Sequence, residues 1–288
     1  MIICELAKHL AANEKWDFFM MVEMGPDRMH HGFWRYFDKE HRLYEPGHPL
    51  EHAIRDYYVF MDKLVGELLA EVGDETYVMI VSDHGVKGMS GGICVNDWLI
   101  DNGFLTLKEK PMGQIPLQAD MIDWSKTVAW GEGGYYGRIF MNVDGREPKG
   151  IVPRADYDKV RGQLREAFEA IADDKGVNIG TRALFGEDIY KVARNVAPDL
   201  FVYFGDLNWR SVGKVGNESI HVFANDTGPD DANHDYQGIF ILSDNSGQSV
   251  KRDDLKIYDV APTILSLLDL KVPADMIGRA VIPAKAGI

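Results

Sequence analysis

The sequence predicts an α/β protein whose central sheet is mostly parallel. Residues 16–24 form a nearly continuous apolar run, which is typical of a strand buried on both faces. Between Ile54 and Leu68, apolar residues recur every three or four positions, and this spacing predicts an amphipathic helix. Residues 76–82 are rich in β-branched side chains and predict a second buried strand. A strand, a helix and a strand in this order indicate a parallel βαβ unit with a right-handed crossover.

Composition divides the chain into three predicted parts. Residues 1–101 and 206–288 are expected to form the two halves of one α/β core. Residues 102–205 have shorter predicted strands and more Gly and Pro, and we expect them to form a smaller inserted α+β subdomain. The other predicted elements are a short helix at 1–15, strands at 138–143, 200–204 and 238–243, and helices at 160–171 and 261–270, the last capped by Asp259.

Charge and cysteine content narrow the classes of function. The chain has 31 Lys and Arg against 45 Asp and Glu, a net charge of −14, which disfavours tight binding to a nucleic-acid duplex. A small anionic substrate remains compatible if metal ions reverse the local field. The two cysteines, Cys4 and Cys94, form no CxxC pair and favour a reducing, cytoplasmic setting. No apolar run approaches the roughly 20 residues that cross a bilayer, and no signal peptide is recognised.

Candidate ligands for a metal ion follow or precede three predicted strands. Asp27 and His31 come after the first apolar run and lie four residues apart, so that one helical turn aims both at one point. Asp83 and His84 follow the second run, and His234 precedes the strand at 238–243. Ligands gather at the strand ends of open α/β sheets, and imidazole with carboxylate suits zinc or a similar divalent metal.

Each of these residues also has a purely structural interpretation. A histidine beside a strand is commonly a hydrogen-bonded structural residue, and Asp27 is also suited to capping the following helix. Asp83-His84-Gly85 is compatible with a simple turn. We expect His30 to be structural or to support a metal ligand without binding the ion itself. His41, His48 and His52 are suited to lining the mouth of the cleft, but we expect them to be solvated.

The ordered set of motifs resembles the alkaline phosphatase superfamily, and within it the type I phosphodiesterase/nucleotide pyrophosphatase branch. The resemblance rests on Asp27-xxx-His31 with Gly-Phe-Trp, Val81-Ser-Asp-His-Gly85 and Asn233-His234, followed by 258–265 and 273–279. It implies an alkaline-phosphatase-like three-layer sandwich and a metal-dependent hydrolase of small anionic phosphoesters. Asp27, His31 and His234 would hold one ion, whereas Asp83 and His84 would belong to a second site. Two divalent ions, zinc or manganese, are implied for the complete enzyme.

One part of the family pattern is not found in the chain. Family members complete the second site with an Asp on the first strand and a Thr or Ser nucleophile, both upstream of the segment that corresponds to Asp27. Only 15 residues precede Trp16. We therefore expect an N-terminally truncated chain that is inactive or impaired, with at most one well-formed metal site and no catalytic nucleophile. A sulfatase, phosphonate hydrolase or phosphomutase on the same scaffold, or a non-catalytic metal-binding remnant, remain alternatives.

Two further features have open interpretations. Residues 130–137 combine aromatic side chains with glycines, which suits either substrate contact by stacking or a glycine-rich turn packed on the core. Arg210 is suited either to a substrate phosphate or to a surface ion pair. The sequence does not determine the oligomeric state.

Overall fold

The computed structural model describes residues 2–223, 230–243 and 251–281, without the side chain of Ile2. These residues form two compact units. The first unit comprises the described residues within 1–28, 53–85 and 236–288, and the second comprises those within 29–52 and 86–235. The predicted parts 1–101, 102–205 and 206–288 stay a prediction, and 224–229, 244–250 and 282–288 lie outside the described residues.

The described helices, in chain order, are α1 (Ile2–Asn13), α2 (Gly25–Phe37), α3 (Ala53–Leu69), α4 (Val95–Asp101), α5 (Tyr157–Glu169), α6 (Gly186–Ile189) and α7 (Val260–Leu267). The described strands are β1 (Val78–Val81), β2 (Gly85–Gly88), β3 (Gly91–Cys94), β4 (Ile115–Pro116), β5 (Ala129–Glu132), β6 (Gly137–Met141), β7 (Arg182–Leu184), β8 (Leu200–Tyr203), β9 (Trp209–Val212), β10 (Lys214–Val215), β11 (His221–Val222), β12 (Ala232–Asp235) and β13 (Phe240–Ser243). No described helix is both long enough and apolar enough to cross a bilayer.

The first unit confirms several predicted elements but not the parallel βαβ arrangement. The strand predicted at 76–82 is β1, yet its partner is β13 in antiparallel register, with Val78 opposite Ser243. Residues 16–24 form neither helix nor strand, and Met20 is 70% exposed, so the prediction of a doubly buried strand is wrong. An apolar run becomes a strand buried on both faces only where it pairs with neighbouring strands and other layers cover both faces of the sheet. None of the described residues pairs with this run.

In the first unit, α1 buries small residues and α3 buries larger apolar residues. Cys4, Ala7 and Ala11 on α1 are buried, as are Ile54 and Leu64 on α3. Lys8 of α1 forms an ion pair with Glu67 of α3 at 2.9 Å. The helix predicted at 1–15 is therefore confirmed as α1, and the one around 54–68 is confirmed as α3.

In the same unit, α7 confirms the helix predicted at 261–270. Asp259 occupies its N-cap position but makes no side-chain capping bond to the helix. The Asp259 carboxylate instead accepts the N–H groups of Lys256 at 3.0 Å and Arg279 at 2.9 Å. It therefore links two segments that flank the helix.

The second unit is built on a four-stranded antiparallel sheet of order β5-β6-β8-β7. The predicted strands at 138–143 and 200–204 are confirmed as β6 and β8, and the helix at 160–171 is confirmed as α5. Leu164 and Phe168 of α5 pack into the core with Ile139 and Leu200. Three smaller sheets complete the unit: β11-β3-β9, β10-β4 and β12-β2.

Strand direction corrects the predicted sheet. The α/β class is confirmed, but a mostly parallel central sheet is not found among the described residues. The pairing of β3 with β9 is parallel, whereas the β1–β13 pair and the four-stranded sheet are antiparallel. The periodicity of apolar residues predicts whether a segment is a helix or a strand. Whether a strand is parallel or antiparallel depends on the strand it pairs with, and periodicity does not identify that partner.

A buried polar cluster stabilises the second unit. The Asp199 side chain is 2% exposed and accepts hydrogen bonds from the Arg146 guanidinium at 2.7 Å and the Tyr157 hydroxyl at 2.6 Å. It also accepts the N–H of Met141 at 2.6 Å. Burial, together with the hydrogen bond to Asp199, raises the pKa of Tyr157 to about 12. The cluster ties α5 and the loop after β6 to the start of β8.

Candidate metal centre

Helix α2 carries the first predicted pair of ligands. Its N-terminus is formed by Gly25, whose N–H is accepted by the Glu23 carboxylate at 2.7 Å. Pro26 follows in the first turn, where a missing N–H costs little. Asp27 therefore lies inside the first turn rather than at the cap. Asp27 and His31 are one turn apart on one continuous helix, as their spacing predicts.

Within the first unit, Asp27, Asp83 and His84 lie together. The His84 Nε2 atom is 3.9 Å from Asp27 Oδ1 and 3.7 Å from Asp83 Oδ1. The other ring nitrogen of His84, Nδ1, lies 2.8 Å from the carbonyl oxygen of Gly85. A carbonyl oxygen only accepts hydrogen bonds, so Nδ1 carries the proton that donates to it.

This hydrogen bond determines what His84 presents to the two carboxylates. With Nδ1 protonated, a neutral imidazole has its lone pair on Nε2, which faces Asp27 and Asp83. A lone pair beside two carboxylates is stabilised by a cation, either a proton or a metal ion. The segment just before β2 thus places His84 Nε2 between Asp27 and the exposed carboxylate of Asp83. One imidazole and two carboxylates are also a donor set that zinc accepts.

Within the second unit, His31 is held by a carboxylate that the sequence analysis did not identify. The His31 Nδ1 atom lies 2.6 Å from Asp230 Oδ1, and both side chains are mostly buried. Since an ionised carboxylate only accepts, His31 donates through Nδ1 and its Nε2 lone pair is directed elsewhere. Metal-binding histidines commonly have such a carboxylate partner, which orients the ring and selects its tautomer.

Two more contacts join α2 to the segment before β12. Arg35 donates to both carboxylate oxygens of Asp231 at 2.5 Å, and the N–H of Asp231 donates to the carbonyl oxygen of His31 at 2.9 Å. The hydrogen bond with Asp231, which is buried, raises the pKa of Arg35. The C-terminal part of α2 is therefore bound to residues 230 and 231 by side-chain and backbone contacts together.

His234 lies on β12 beside His31. The ring centroids of the two histidines are 5.5 Å apart, and Tyr135 stacks on the His234 ring at 3.8 Å. Asn233 is fully buried, accepts the N–H of His234 at 2.8 Å and donates to the carbonyl oxygen of Leu207 at 2.7 Å. These contacts fix the backbone and the ring plane of His234. Asp235, a second neighbour in sequence, forms an ion pair with Lys87 at 3.3 Å.

The structure thus places the five predicted ligands in two groups. Asp27, Asp83 and His84 belong to the first unit, and His31 and His234 belong to the second. Helix α2 carries one member of each group. Their convergence on a single centre stays a prediction.

The remaining histidines and Arg210 have contacts of their own. The ring of His30 meets Trp34 edge-on at 5.8 Å, and the ring of His48 stacks on Tyr36 at 4.2 Å. Burial lowers the pKa of His41, so this side chain is not simply solvated as predicted. Arg210 Nη1 lies 3.8 Å from Asp230 Oδ2 and its side chain is 15% exposed, which makes this ion pair mostly buried.

Comparison with known families identifies the family of the chain. The family model described as type I phosphodiesterase / nucleotide pyrophosphatase matches residues 2–237. The chain belongs to that family. No match was found among curated proteins.

The segment that matches the type I phosphodiesterase family includes the positions of all five predicted ligands, which lie between residues 27 and 234, and their role as ligands stays a prediction. The resemblance noted at 258–265 and 273–279 falls beyond the matched residues. Asp230, Tyr135 and the Arg35–Asp231 pair were missed by the sequence analysis. The adjacent acids at 230 and 231 were a weak signal, but nothing in the sequence shows which histidine or arginine they meet.

Proposed function

We propose that this member of the type I phosphodiesterase family is a metal-dependent hydrolase of phosphoric esters of the phosphodiesterase or nucleotide pyrophosphatase type. Asp27, His31 and His234 would bind one divalent ion, with zinc preferred over manganese. Asp83 and His84 would belong to the site of a second ion, and at most one of the two sites is expected to be well formed in this chain. The observation that carries the proposal is the position of His84 Nε2, 3.7–3.9 Å from two carboxylate oxygens while Nδ1 is engaged by Gly85. An imidazole nitrogen beside carboxylate oxygens is a common set of ligands for a divalent cation such as zinc.

The histidines of the second unit support the same proposal. His31 is oriented through Nδ1 by Asp230, and His234 is held by Asn233 and Tyr135. Each ring is therefore restrained before any ligand arrives, which reduces the entropy cost of binding a metal. Acid is expected to weaken metal binding because a protonated imidazole has no lone pair to donate.

Bound metal ions would polarise the phosphoryl oxygens and lower the pKa of a coordinated hydroxyl or water. The chain's own contribution is to position its ligands and to supply cationic groups near them. Arg210 is one such group, because it lies beside Asp230. Its guanidinium suits an anionic ester oxygen.

We propose that this chain by itself hydrolyses esters slowly or not at all, because none of its residues is assigned the role of the family's Thr or Ser nucleophile. Two of its hydroxyl groups, those of Thr127 and Ser82, instead make structural hydrogen bonds. Thr127 is fully buried, donates to the carbonyl oxygen of Asp123 at 2.9 Å and accepts the N–H of Thr106 at 3.1 Å. Ser82, next to Asp83, accepts the N–H of Ile239 at 2.7 Å across the β1–β13 pair. None of these hydroxyls is assigned a catalytic role.

The proposal is tested by metal content and turnover measured on the same preparations. The parent chain is loaded with zinc or manganese, desalted and subjected to elemental analysis, then assayed with bis(4-nitrophenyl) phosphate. His31→Ala, His84→Ala and His234→Ala are expected to lose bound metal, whereas His52→Ala, at an exposed position, is expected to retain it. Unchanged metal content in all three variants would contradict the site.

Turnover distinguishes the candidate functions. Slow hydrolysis that disappears in His31→Ala and His84→Ala supports the hydrolase. Bound metal with no turnover favours the alternative of a non-catalytic metal-binding protein. Activity on sulfate or phosphonate esters but not on the phosphodiester favours a sulfatase or phosphonate hydrolase on the same scaffold.

A further inference from the structure

The start of helix α2 depends on contacts from outside the helix. Asp27 lies in its first turn, and the first N–H groups of a helix have no partner within the helix itself. Residues 16–24, which lead into α2, pair with no described strand, so no sheet among the described residues fixes where the helix begins. The position of Asp27 therefore depends on the side chains that meet this helix start.

Glu23 and Tyr57 meet the start of α2 within the first unit. The Glu23 carboxylate accepts the N–H of Gly25 at 2.7 Å through Oε1. The same oxygen lies 3.5 Å from the hydroxyl oxygen of Tyr57, which belongs to α3. Because an ionised carboxylate only accepts hydrogen bonds, the hydroxyl is the donor of this long bond. Glu23 thus links the first N–H of α2 to α3.

Gly25 shows how closely Tyr57 approaches the helix. A Cβ built on Gly25 would overlap the hydroxyl oxygen of Tyr57 and would lie 2.7 Å from Glu23 Oε1. The hydroxyl thus occupies the space that a larger residue at position 25 would need. Glycine is an unfavourable helix residue, and here it allows the side chain of α3 to contact the backbone of α2.

Helix α3 is a firm support for this contact. Ile54 and Leu64 of the same helix are buried, and Glu67 forms an ion pair with Lys8 of α1 at 2.9 Å. Burial, followed by the charge of Glu23, raises the pKa of Tyr57, so the hydroxyl keeps its proton at neutral pH. The start of α2 is therefore joined to a packed helix.

The position of the helix start matters for the candidate metal centre. Asp27 lies two residues beyond Gly25 in the same helical turn, so a shift of one backbone segment moves the other. The Oδ1 atom of Asp27 lies 3.9 Å from His84 Nε2 in the same unit. Ligand distances in metal sites deviate by only about 0.2 Å from their usual values, and a small displacement of this carboxylate therefore lowers affinity.

We propose that Glu23 and Tyr57 are positioning residues for Asp27. Through Gly25 they hold the first turn of α2 and thereby the carboxylate that it carries. The proposal rests on the proposed function, in which Asp27 binds a metal ion. It adds two side chains whose effect on metal binding passes through the backbone of Gly25.

Amide hydrogen exchange of the metal-free full chain tests the positioning itself. In Tyr57→Phe and Glu23→Gln, peptides that span residues 23–28 are expected to exchange at least about threefold faster than in the parent, because the bond to the Gly25 N–H is weakened. Exchange across α5 is expected to stay at the rate of the parent, which separates a local effect from a general loss of stability. Parent-like exchange at 23–28 in both variants would overturn the proposal.

Metal binding tests the consequence. Zinc affinity, measured by competition with a chromophoric chelator, is expected to fall about three- to tenfold in each variant, as for the loss of one hydrogen bond. The double variant should lose less than the product of the two single effects, because both substitutions act on one contact. Tyr77→Phe and Glu14→Gln, at exposed positions in the same unit, are the matched controls and are expected to bind like the parent.

The visible absorption of bound cobalt(II) separates positioning from a merely structural role, because it depends on the geometry of the ligands. At saturating cobalt(II), the spectra of Tyr57→Phe and Glu23→Gln are expected to differ from that of the parent. A zinc affinity and a cobalt spectrum equal to those of the parent in both variants would overturn the proposal and leave the proposed function intact. A parent chain that binds neither ion would overturn both.

Discussion

The imidazole of His31 and the carboxylate of Asp230 lie 2.6 Å apart although 199 positions separate them in the sequence. The contact fixes the tautomer of His31 and joins α2 to the segment that leads into β12. The same segment holds Arg35 through Asp231 and continues into His234. Asp230 is therefore a positioning residue for a predicted ligand.

Asp230→Asn is expected to lower zinc affinity by about 10–100-fold without changing the number of ions bound. An amide accepts the His31 N–H more weakly and no longer raises the basicity of the ring. A competition titration with a chromophoric chelator measures the affinity. Asp101→Asn, an exposed acid at the end of α4, controls for loss of net charge. Equal zinc affinity in Asp230→Asn and Asp101→Asn would show that Asp230 does not support metal binding by His31.

Asp199→Asn is expected to lower the free energy of unfolding by about 2–3 kcal/mol, because charge-assisted hydrogen bonds contribute more than neutral ones. The change weakens the bonds from Arg146 and Tyr157 to a side chain that is 2% exposed. Urea unfolding at pH 7 measures the difference. Asp158→Asn, whose side chain is 85% exposed, is expected to change stability by less than about 0.5 kcal/mol. A similar loss in both variants would contradict a special role for the cluster.

Two glycine substitutions are expected to act in opposite directions. Gly133→Ala places a Cβ 2.5 Å from the backbone nitrogen of Gly213 and should destabilise the chain by about 1–3 kcal/mol. Gly162 lies inside α5, where a Cβ meets nothing within 4 Å. Gly162→Ala should therefore stabilise the chain by about 0.5–1 kcal/mol, since Ala restricts the unfolded backbone and favours helix. Thermal and urea unfolding of the pair test this. If both substitutions stabilised the chain, the backbone around Gly133 would have room for a Cβ, and the predicted clash would be wrong.

Asp259 predicts a pH-dependent contribution to stability. Burial alone would raise its pKa, but the N–H groups of Arg279 and Lys256 lower the pKa below the usual value. Its carboxylate thus stabilises the folded chain above the unfolded pKa of about 3.9, and this contribution is lost as the pH falls through the lower folded pKa.

The measurement compares the parent with Asp259→Asn by urea unfolding at several pH values. The stability difference should be largest at neutral pH and shrink below about pH 4. Asp253→Asn, at an exposed position, serves as the control. A difference that stays constant from pH 7 to pH 3 would show that the charge of Asp259 makes no contribution.

Local patterns predicted much of the secondary structure. Apolar spacing predicted α3 and α5, the capping position of Asp259 predicted the start of α7, and short runs of apolar residues predicted β1, β6 and β8. Strand direction was wrong, because β1 pairs antiparallel with β13. The apolar run at 16–24 was wrong for a related reason, since burial of a strand depends on neighbours that its own residues do not specify.

The sequence by itself predicted most of the element types, the family and a set of residues whose side chains suit a metal ion, because helical spacing and ligand chemistry are local properties. The spacing of Asp27 and His31 predicted that they lie one helical turn apart, and this is confirmed because both residues belong to α2. Only the tertiary structure decided that Gly85 orients His84, that Asp230 orients His31 and that Tyr135 covers His234. Those partners depend on which loops meet after folding. Residue spacing does not determine hydrogen-bond geometry, because a hydrogen bond forms or fails over a few tenths of an ångström.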